Sequence, residues 1–377
     1  GSFPAEKVIS RLTRFYTSRK VQPYAPYEAS ILAGKEMDEA REGLASLLNI
    51  ESDTLHFGPS TTQNTYVLAQ AVRQSIKERD VIIVTNQDHE ANTGSWRKLA
   101  NEGFEIREWR VDKKTGSLDI EDLRKLLDKK VFLVAFPHCS NILGEINNVK
   151  EICEVVRSYG AFSCVDGVSY APHGFPDLKS LEPDIYLFSS YKTYGPHVGI
   201  MHLSENLNEI LLNQGHYFNS SYPTKRFTPA GPDHAQIAAC GGIVDYIKLL
   251  DKHHFKSQVS LSEACQRVKK MQRAHESLLL EPLLKYLSNK NDIRILGPNS
   301  VNVRVPTVSL DLGLKSRTVA EGLVNDGLMV DSGDFYAVRL LQALGVKIKY
   351  GVLRLSFVHY TSELEVDHLI RSLDKYI

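Results

Sequence analysis

A mainly parallel α/β sheet followed by a smaller α+β unit is the fold the sequence predicts, and two patterns carry it. Between residues 50 and 205, short apolar runs alternate with longer helical stretches, as in strands joined by crossover helices. These runs are continuously apolar, as expected of strands buried on both faces. After residue 255 the texture changes to a long helix, separated strand-like runs and a closing helix.

The elements follow in order. Glu28–Leu48 reads as one long helix ahead of the sheet. An amphipathic helix then carries Val67, Leu68, Ala71, Val72 and Ile76 on one face. The predicted strands are Val81–Thr85, Val131–Phe136, Phe162–Val165, Asp184–Phe188 and Val198–Leu203, with helices at Ile120–Leu127 and Val149–Tyr159. The second unit has a helix at Ser257–Leu287, strand-like runs at Val301–Leu310 and Val352–Val358, and a terminal helix at Glu363–Tyr376. Residues 21–254 therefore form the expected large domain and 255–377 the small one. Residues 1–20 are expected to pack with the small domain. No internal repeat or low-complexity segment interrupts the chain.

With 45 basic and 45 acidic residues in 377, the formal net charge is zero. That balance offers no field aimed at nucleic acid. No apolar stretch approaches the about 20 residues needed to cross a bilayer, and a cytoplasmic location is expected. The chain starts Gly1-Ser2 without a methionine, which leaves targeting open. Cys139, Cys153, Cys164, Cys240 and Cys265 stand singly, with no CxxC pair. A disulfide framework or metal site is not expected, and a reducing compartment fits.

Several residues can carry chemistry. Lys192, in Ser189-Ser190-Tyr191-Lys192-Thr193-Tyr194-Gly195-Pro196, lies just after a buried strand, where α/β proteins build their sites. A lysine in a dry pocket loses its proton easily and forms Schiff bases with carbonyls. Gly58-Pro59-Ser60-Thr61-Thr62 precedes a helix, so it is either an anion site or an ordinary N-cap. No GxxxxGK[ST] or GxGxxG occurs, which disfavours a nucleotide. His89, in Asp88-His89-Glu90-Ala91-Asn92, either stacks on a flat ring or sits in a surface loop. Asn141 follows a strand and donates to a ligand oxygen or makes an Asx turn. Asp166 follows Phe162–Val165 and pairs with a cationic ring nitrogen or is a turn aspartate. Arg354 lies within an apolar run and needs a partner, for which a carboxylate is the natural choice. Together these residues answer the needs of pyridoxal phosphate and an amino acid.

The order and spacing of these motifs, with Arg354-Leu355-Ser356, resemble the fold-type I pyridoxal-phosphate enzymes of aminotransferase class V, in the cysteine-desulfurase-like branch. The resemblance implies a seven-stranded-type sheet in the large, cofactor-binding domain. It also implies roles. Ser60, Thr61, Thr62 and Ser189 would hold the cofactor phosphate. His89 would stack on the ring, and Asp166 would bind its nitrogen. Asn141 would lie near the ring oxygen or the substrate carboxylate. Lys192 would form the Schiff base and move protons, while Arg354 would grip the substrate carboxylate. Homodimers with sites at the subunit interface are implied as well, with Arg226-Phe227-Thr228-Pro229-Ala230-Gly231 reaching the partner's site.

Three departures stand out. Ser169 occupies a position where the family often has glutamine or histidine. Tyr191 replaces a histidine that commonly binds phosphate. The loop Val330-Asp331-Ser332-Gly333-Asp334-Phe335-Tyr336-Ala337 lacks the nucleophilic cysteine of true desulfurases, and no cysteine follows Cys265. Tyr336 there is a candidate substrate contact. The expected activity is C–S or β-lyase chemistry on a small amino acid. Transamination and epimerisation are the alternatives, and a non-catalytic cofactor-binding protein is a further one.

Overall fold

A computed structural model describes residues 2–76 and 78–377. Its large sheet has seven strands: β1 (Leu55–Gly58), β2 (Val81–Thr85), β3 (Glu105–Trp109), β4 (Val131–Pro137), β5 (Phe162–Asp166), β6 (Ile185–Ser189) and β7 (Gly199–Leu203). Their spatial order is β1-β7-β6-β5-β4-β2-β3, and only β7 runs against the others. Every residue of β2, β4, β6 and β7 is buried, which accounts for their unbroken apolar runs.

Two strands were not among those expected. β1 has only four residues. β3, at the sheet edge, alternates Glu105, Arg107 and Glu108 with Ile106 and Trp109 and buries only the tryptophan. Charged edges of this kind discourage pairing with another chain. Because the parallel strands share one direction, the ends of β1, β2, β4, β5 and β6 open on one side of the sheet. Helices α1 (Glu6–Ser18), α2 (Glu28–Leu48), α3 (Thr61–Ser75) and α4 (Glu90–Lys98) precede or alternate with these strands.

The N-terminal segment departs from its expected placement. It packs on the helix His234–His254 and reaches α2 through ion pairs, both in the large domain. The reason is electrostatic as well as apolar. Arg11 pairs with Asp245 at 2.6 Å and Arg14 with Glu36 at 3.0 Å, while Val8 and Phe15 join the large-domain core. The bond from the Phe3 N–H to Tyr360 Oη, at 3.3 Å, does reach the C-terminal unit.

That unit is an antiparallel sheet of order β10-β11-β9-β8, built from β8 (Arg294–Leu296), β9 (Thr307–Asp311), β10 (Asp331–Gly333) and β11 (Val352–Ser356). The run expected as a strand from Val301 becomes regular only at Thr307. Pro306, which has no N–H to donate, interrupts it, and Arg304 folds inward. The helix expected from Ser257 begins at Leu261, fixed by a capping box between Ser260 and Glu263. An apolar seam of Val111, Ile142 and Leu143 with Leu340, Leu341 and Val352 joins the two units and sets β11 against the mouth of the large sheet. No helix among the described residues is long and apolar enough to cross a membrane.

Candidate active site

The anion turn forms where β1 stops. Ser60 caps α3 by accepting the Gln63 N–H at 3.2 Å. Thr61 Oγ1 lies 2.9 Å from Ser189 Oγ, tying the turn to the end of β6. The Thr62 side chain is exposed. A Cβ on Gly199 would meet the Ser60 backbone at 2.4 Å, so glycine allows β7 to pass beneath the turn. Free N–H groups at the start of a 15-residue helix, with three hydroxyls around them, suit an anion.

Beside the turn lies a cavity of about 740 Å³ bordered by Ser60, Gln63, Asn64, His197 and the stretch Phe227–Asp233. His197 was not singled out in the sequence. Its ring stacks on Tyr191 at 4.4 Å, which gives the turn a histidine neighbour five residues after the lysine. Arg226 bonds within its own chain, to Asn208 Oδ1 at 3.0 Å and to the Leu211 carbonyl at 2.5 Å. Of the segment expected to reach a partner, Phe227–Gly231 is the part that lines the cavity.

Lys192 is half-buried on a short 3₁₀ turn after β6. Burial depresses its proton affinity, Arg354 depresses it further, and Asp166 opposes both. Asp166 ends β5 and accepts the Val168 N–H at 2.8 Å. Burial pushes it up to about 6, against the Val168 bond and Lys192. His89 caps α4, its Nδ1 accepting the Ala91 N–H at 3.0 Å. The ring is held neutral, lowered to about 4 by burial and then by Lys192 and Arg354. Ser169 lies half-buried on the turn after β5, next to Tyr170, which stacks on His138 at 3.6 Å.

A second buried carboxyl, Asp88, stands beside this group and was not foreseen. Thr85 Oγ1 donates to it at 2.8 Å and Asn92 Nδ2 at 3.2 Å. Burial, then Asp166, raises it to about 8. Burial, reinforced by the charge of the neighbouring Asp166, keeps the Asp88 proton on. The folded state holds the Asp88 proton more tightly than the unfolded chain does. Its ionisation therefore removes stability as pH rises from about 4 through about 8. In urea unfolding of the cofactor-free protein, Asp88→Asn should gain in midpoint relative to the parent as pH rises from 5 to 8. A difference between the two that does not change with pH would mean that Asp88 is already ionised in the fold.

Arg354 points from β11 into the same region. One hydrogen bond holds it, from Nη1 to the Asn141 carbonyl at 3.2 Å, and the Phe335 ring covers its face at 3.8 Å. Burial lowers it to about 10, and Asp331 on the paired strand only partly compensates. Arg304 makes the contrast. It is fully buried where Arg354 is half-buried, and it donates to three carbonyls, those of Thr307, Pro298 and Leu296, at 3.0, 2.6 and 2.6 Å. Arg304 is thus satisfied by the fold, whereas Arg354 keeps donors to spare. Arg304→Leu should destabilise by about 3 kcal/mol or more, from stranded carbonyls at about 1–3 kcal/mol each. Arg354→Leu should leave the urea midpoint unchanged or raised while weakening amino-acid binding by about 10- to 150-fold, the worth of charged hydrogen bonds of about 1.5–3 kcal/mol. Equal loss of stability in both variants would reduce Arg354 to a structural role.

The loop after β10 closes the site. Asn141 Nδ2 donates to the Phe335 carbonyl at 2.9 Å, and the Glu90 N–H donates to the Tyr336 carbonyl at 2.9 Å. Phe335 and Tyr336 both adopt left-handed backbone, at φ 49° and 59°. Such residues persist only where their surroundings impose them, and they gather at functional sites. Tyr336 is 71% exposed, with its ring 5.3 Å from His89. Asn141 Oδ1 is buried without a partner, a free acceptor in the site. All five cysteines are buried. Burial raises Cys153, Cys240 and Cys265 to about 12 and pushes Cys139 and Cys164 up as well.

A match to the aminotransferase class-V family spans residues 2–369. The chain belongs to that family. It is 34% identical to the aminotransferase-like protein FGM3 of Gibberella zeae, over 98% of this chain and 90% of that one. It is 27% identical to a cysteine desulfurase of Pectobacterium carotovorum, over 98% and 89%. The apo structure of a cysteine desulfurase from Thermococcus onnurineus superposes with a TM-score of 0.86 at 22% identity, covering 99% of this chain and 92% of the other. That likeness establishes the fold-type I architecture. Class-V enzymes and their desulfurase relatives depend on pyridoxal phosphate, and this class-V chain is an enzyme of that kind.

Proposed function

We propose that this class-V enzyme acts on a small amino acid and cleaves a bond at its β-carbon, of the C–S type, without passing sulfur to a protein thiol. The observation that carries the reading is Arg354, a half-buried guanidinium with one hydrogen bond among the described residues and donors to spare, held beside Lys192. An α-carboxylate supplies the charge it lacks and takes two parallel N–H bonds.

The site fits the cofactor group by group. The α3 turn with Ser60, Thr61, Thr62 and Ser189 suits a phosphate. The Asp166 carboxylate, ionised above about pH 6, suits a protonated ring nitrogen. The neutral face of His89 suits a flat ring. Asn141 Oδ1 accepts, so it suits a ring hydroxyl and repels a carboxylate. Pyridoxal phosphate supplies an aldehyde carbon for amine exchange and a cationic ring that draws electron density from Cα. The remaining work falls to the chain. Lys192, its proton affinity lowered by burial, would hold the cofactor and take the Cα proton. Arg354 fixes the carboxylate, and Phe335 fixes the plane of Arg354. The loop that would carry a sulfur-accepting cysteine presents Phe335 and Tyr336 instead. A departing sulfur group therefore leaves free.

The name of the Gibberella relative favours a second reading, transamination, in which the amino group would pass from the amino acid to a keto acid. A panel of amino acids with simultaneous assay of sulfide, sulfite, alanine, pyruvate and other keto acids separates the two. Sulfide with pyruvate and ammonia from cysteine, or sulfite with alanine from cysteine sulfinate, supports C–S cleavage. A keto acid matching each substrate, with amino-group transfer, supports transamination. We also infer a homodimer. Exposed Tyr217, Phe218 and Tyr222 precede the segment lining the cavity and supply an apolar face for it.

A further inference from the structure

Two residues beyond Lys192, Tyr194 adopts φ 65° with a side chain only 3% exposed. A tyrosine in that conformation must be held by what surrounds it. Its hydroxyl donates to the Pro172 carbonyl and lies 3.0 Å from His359 Nδ1. A phenol has one proton to give, so Nδ1 carries the hydrogen and donates to Tyr194. Nε2 is then the acceptor, and Tyr246 Oη donates to it at 2.7 Å. One tautomer satisfies all three side chains. Burial lowers His359 to about 4, which keeps it in that neutral form.

The circuit joins three parts of the fold. Tyr194 follows the lysine turn, Tyr246 belongs to the helix His234–His254, and His359 lies five residues beyond Arg354, just after β11. The N-terminal segment clasps the same spot. The Ser2 N–H donates to the Tyr191 carbonyl at 3.2 Å, Ser2 Oγ accepts the Tyr194 N–H at 2.9 Å, and the Ala5 N–H donates to the Tyr194 carbonyl at 2.8 Å. The lysine and arginine that must address the two ends of one amino acid are thus pinned to a common junction.

We propose that His359 is a positioning residue that holds the Lys192 turn in register with the Arg354 strand through the Tyr194–His359–Tyr246 hydrogen bonds. Its consequence for substrate rests on the amino-acid reading above, but its mechanical part does not. Two full-chain variants test it. His359→Leu removes both bonds. His359→Gln keeps a donor for Tyr194 and an acceptor for Tyr246. By hydrogen exchange without cofactor, the Leu variant should exchange the peptide 189–197 about five- to tenfold faster than the unaltered chain, the effect of about one net hydrogen bond. β2 should be unaffected, and the Gln variant should restore protection. With cofactor, the Leu variant should show a raised amino-acid KM at unchanged cofactor affinity, again restored by Gln. Unchanged exchange at 189–197, acceleration spread evenly over the chain, or failure of Gln to rescue would overturn the proposal. Because the exchange measurement needs no cofactor, it decides the junction even if the amino-acid reading fails.

Discussion

Lys192→Ala should bind pyridoxal phosphate but yield no borohydride-fixed adduct, and turnover should fall at least about 10,000-fold, the upper range for loss of an acid–base group. The phosphate turn, His89 and Asp166 do not depend on the lysine, so the cofactor keeps most of its contacts. What disappears is the amine beside Asp166 whose proton affinity burial and Arg354 lower. Intact mass after borohydride reads the outcome. An adduct of unchanged yield in the variant would assign the bond to another residue.

Asp166→Asn should retain the cofactor and lose about 100- to 10,000-fold in turnover. An amide cannot hold a ring nitrogen protonated, so the pull on Cα weakens. The pH dependence separates this from misfolding. The folded pKa of about 6 exceeds the ordinary value, so ionising Asp166 removes stability as pH rises from about 4 through about 6. The asparagine variant should therefore be at least as stable as the unaltered protein at pH 8, by urea unfolding, while being nearly inactive. A variant that is both inactive and destabilised at that pH would point to a structural role.

Much of the architecture is legible in local pattern. β2 and β4 to β7 announce themselves because they are almost wholly buried and largely apolar along their length. β3 escapes because an edge strand carries Glu105, Arg107 and Glu108, and β1 because four residues make too short a run. The N-terminal segment is helical over Glu6–Ser18, and its partner is set by Arg11 and Arg14 meeting Asp245 and Glu36, contacts that periodicity does not encode.

In the site, Lys192, Asp166, His89, Thr61, Ser189, Asn141 and Arg354 stand out because each polar residue interrupts or ends an apolar run or opens a helix. Asp88 does not, since a loop aspartate next to a histidine looks solvated until the fold buries it beside Asp166. The Phe335 stack on Arg354 and the His359 junction are hidden for the same reason. The first joins two distant segments of the C-terminal unit and the second joins the two units, and no spacing records either.

The central claim is a desulfurase-like site that works without a protein thiol. It is tested most directly by intact mass spectrometry of the cofactor-loaded protein after turnover with cysteine and with cysteine sulfinate, alongside a variant in which all five cysteines are serine. The account predicts an unchanged protein mass, sulfide or sulfite in solution, and activity in the serine variant comparable to the parent. A stoichiometric gain of one sulfur atom on a single cysteine, with activity lost when that cysteine is replaced, would contradict it.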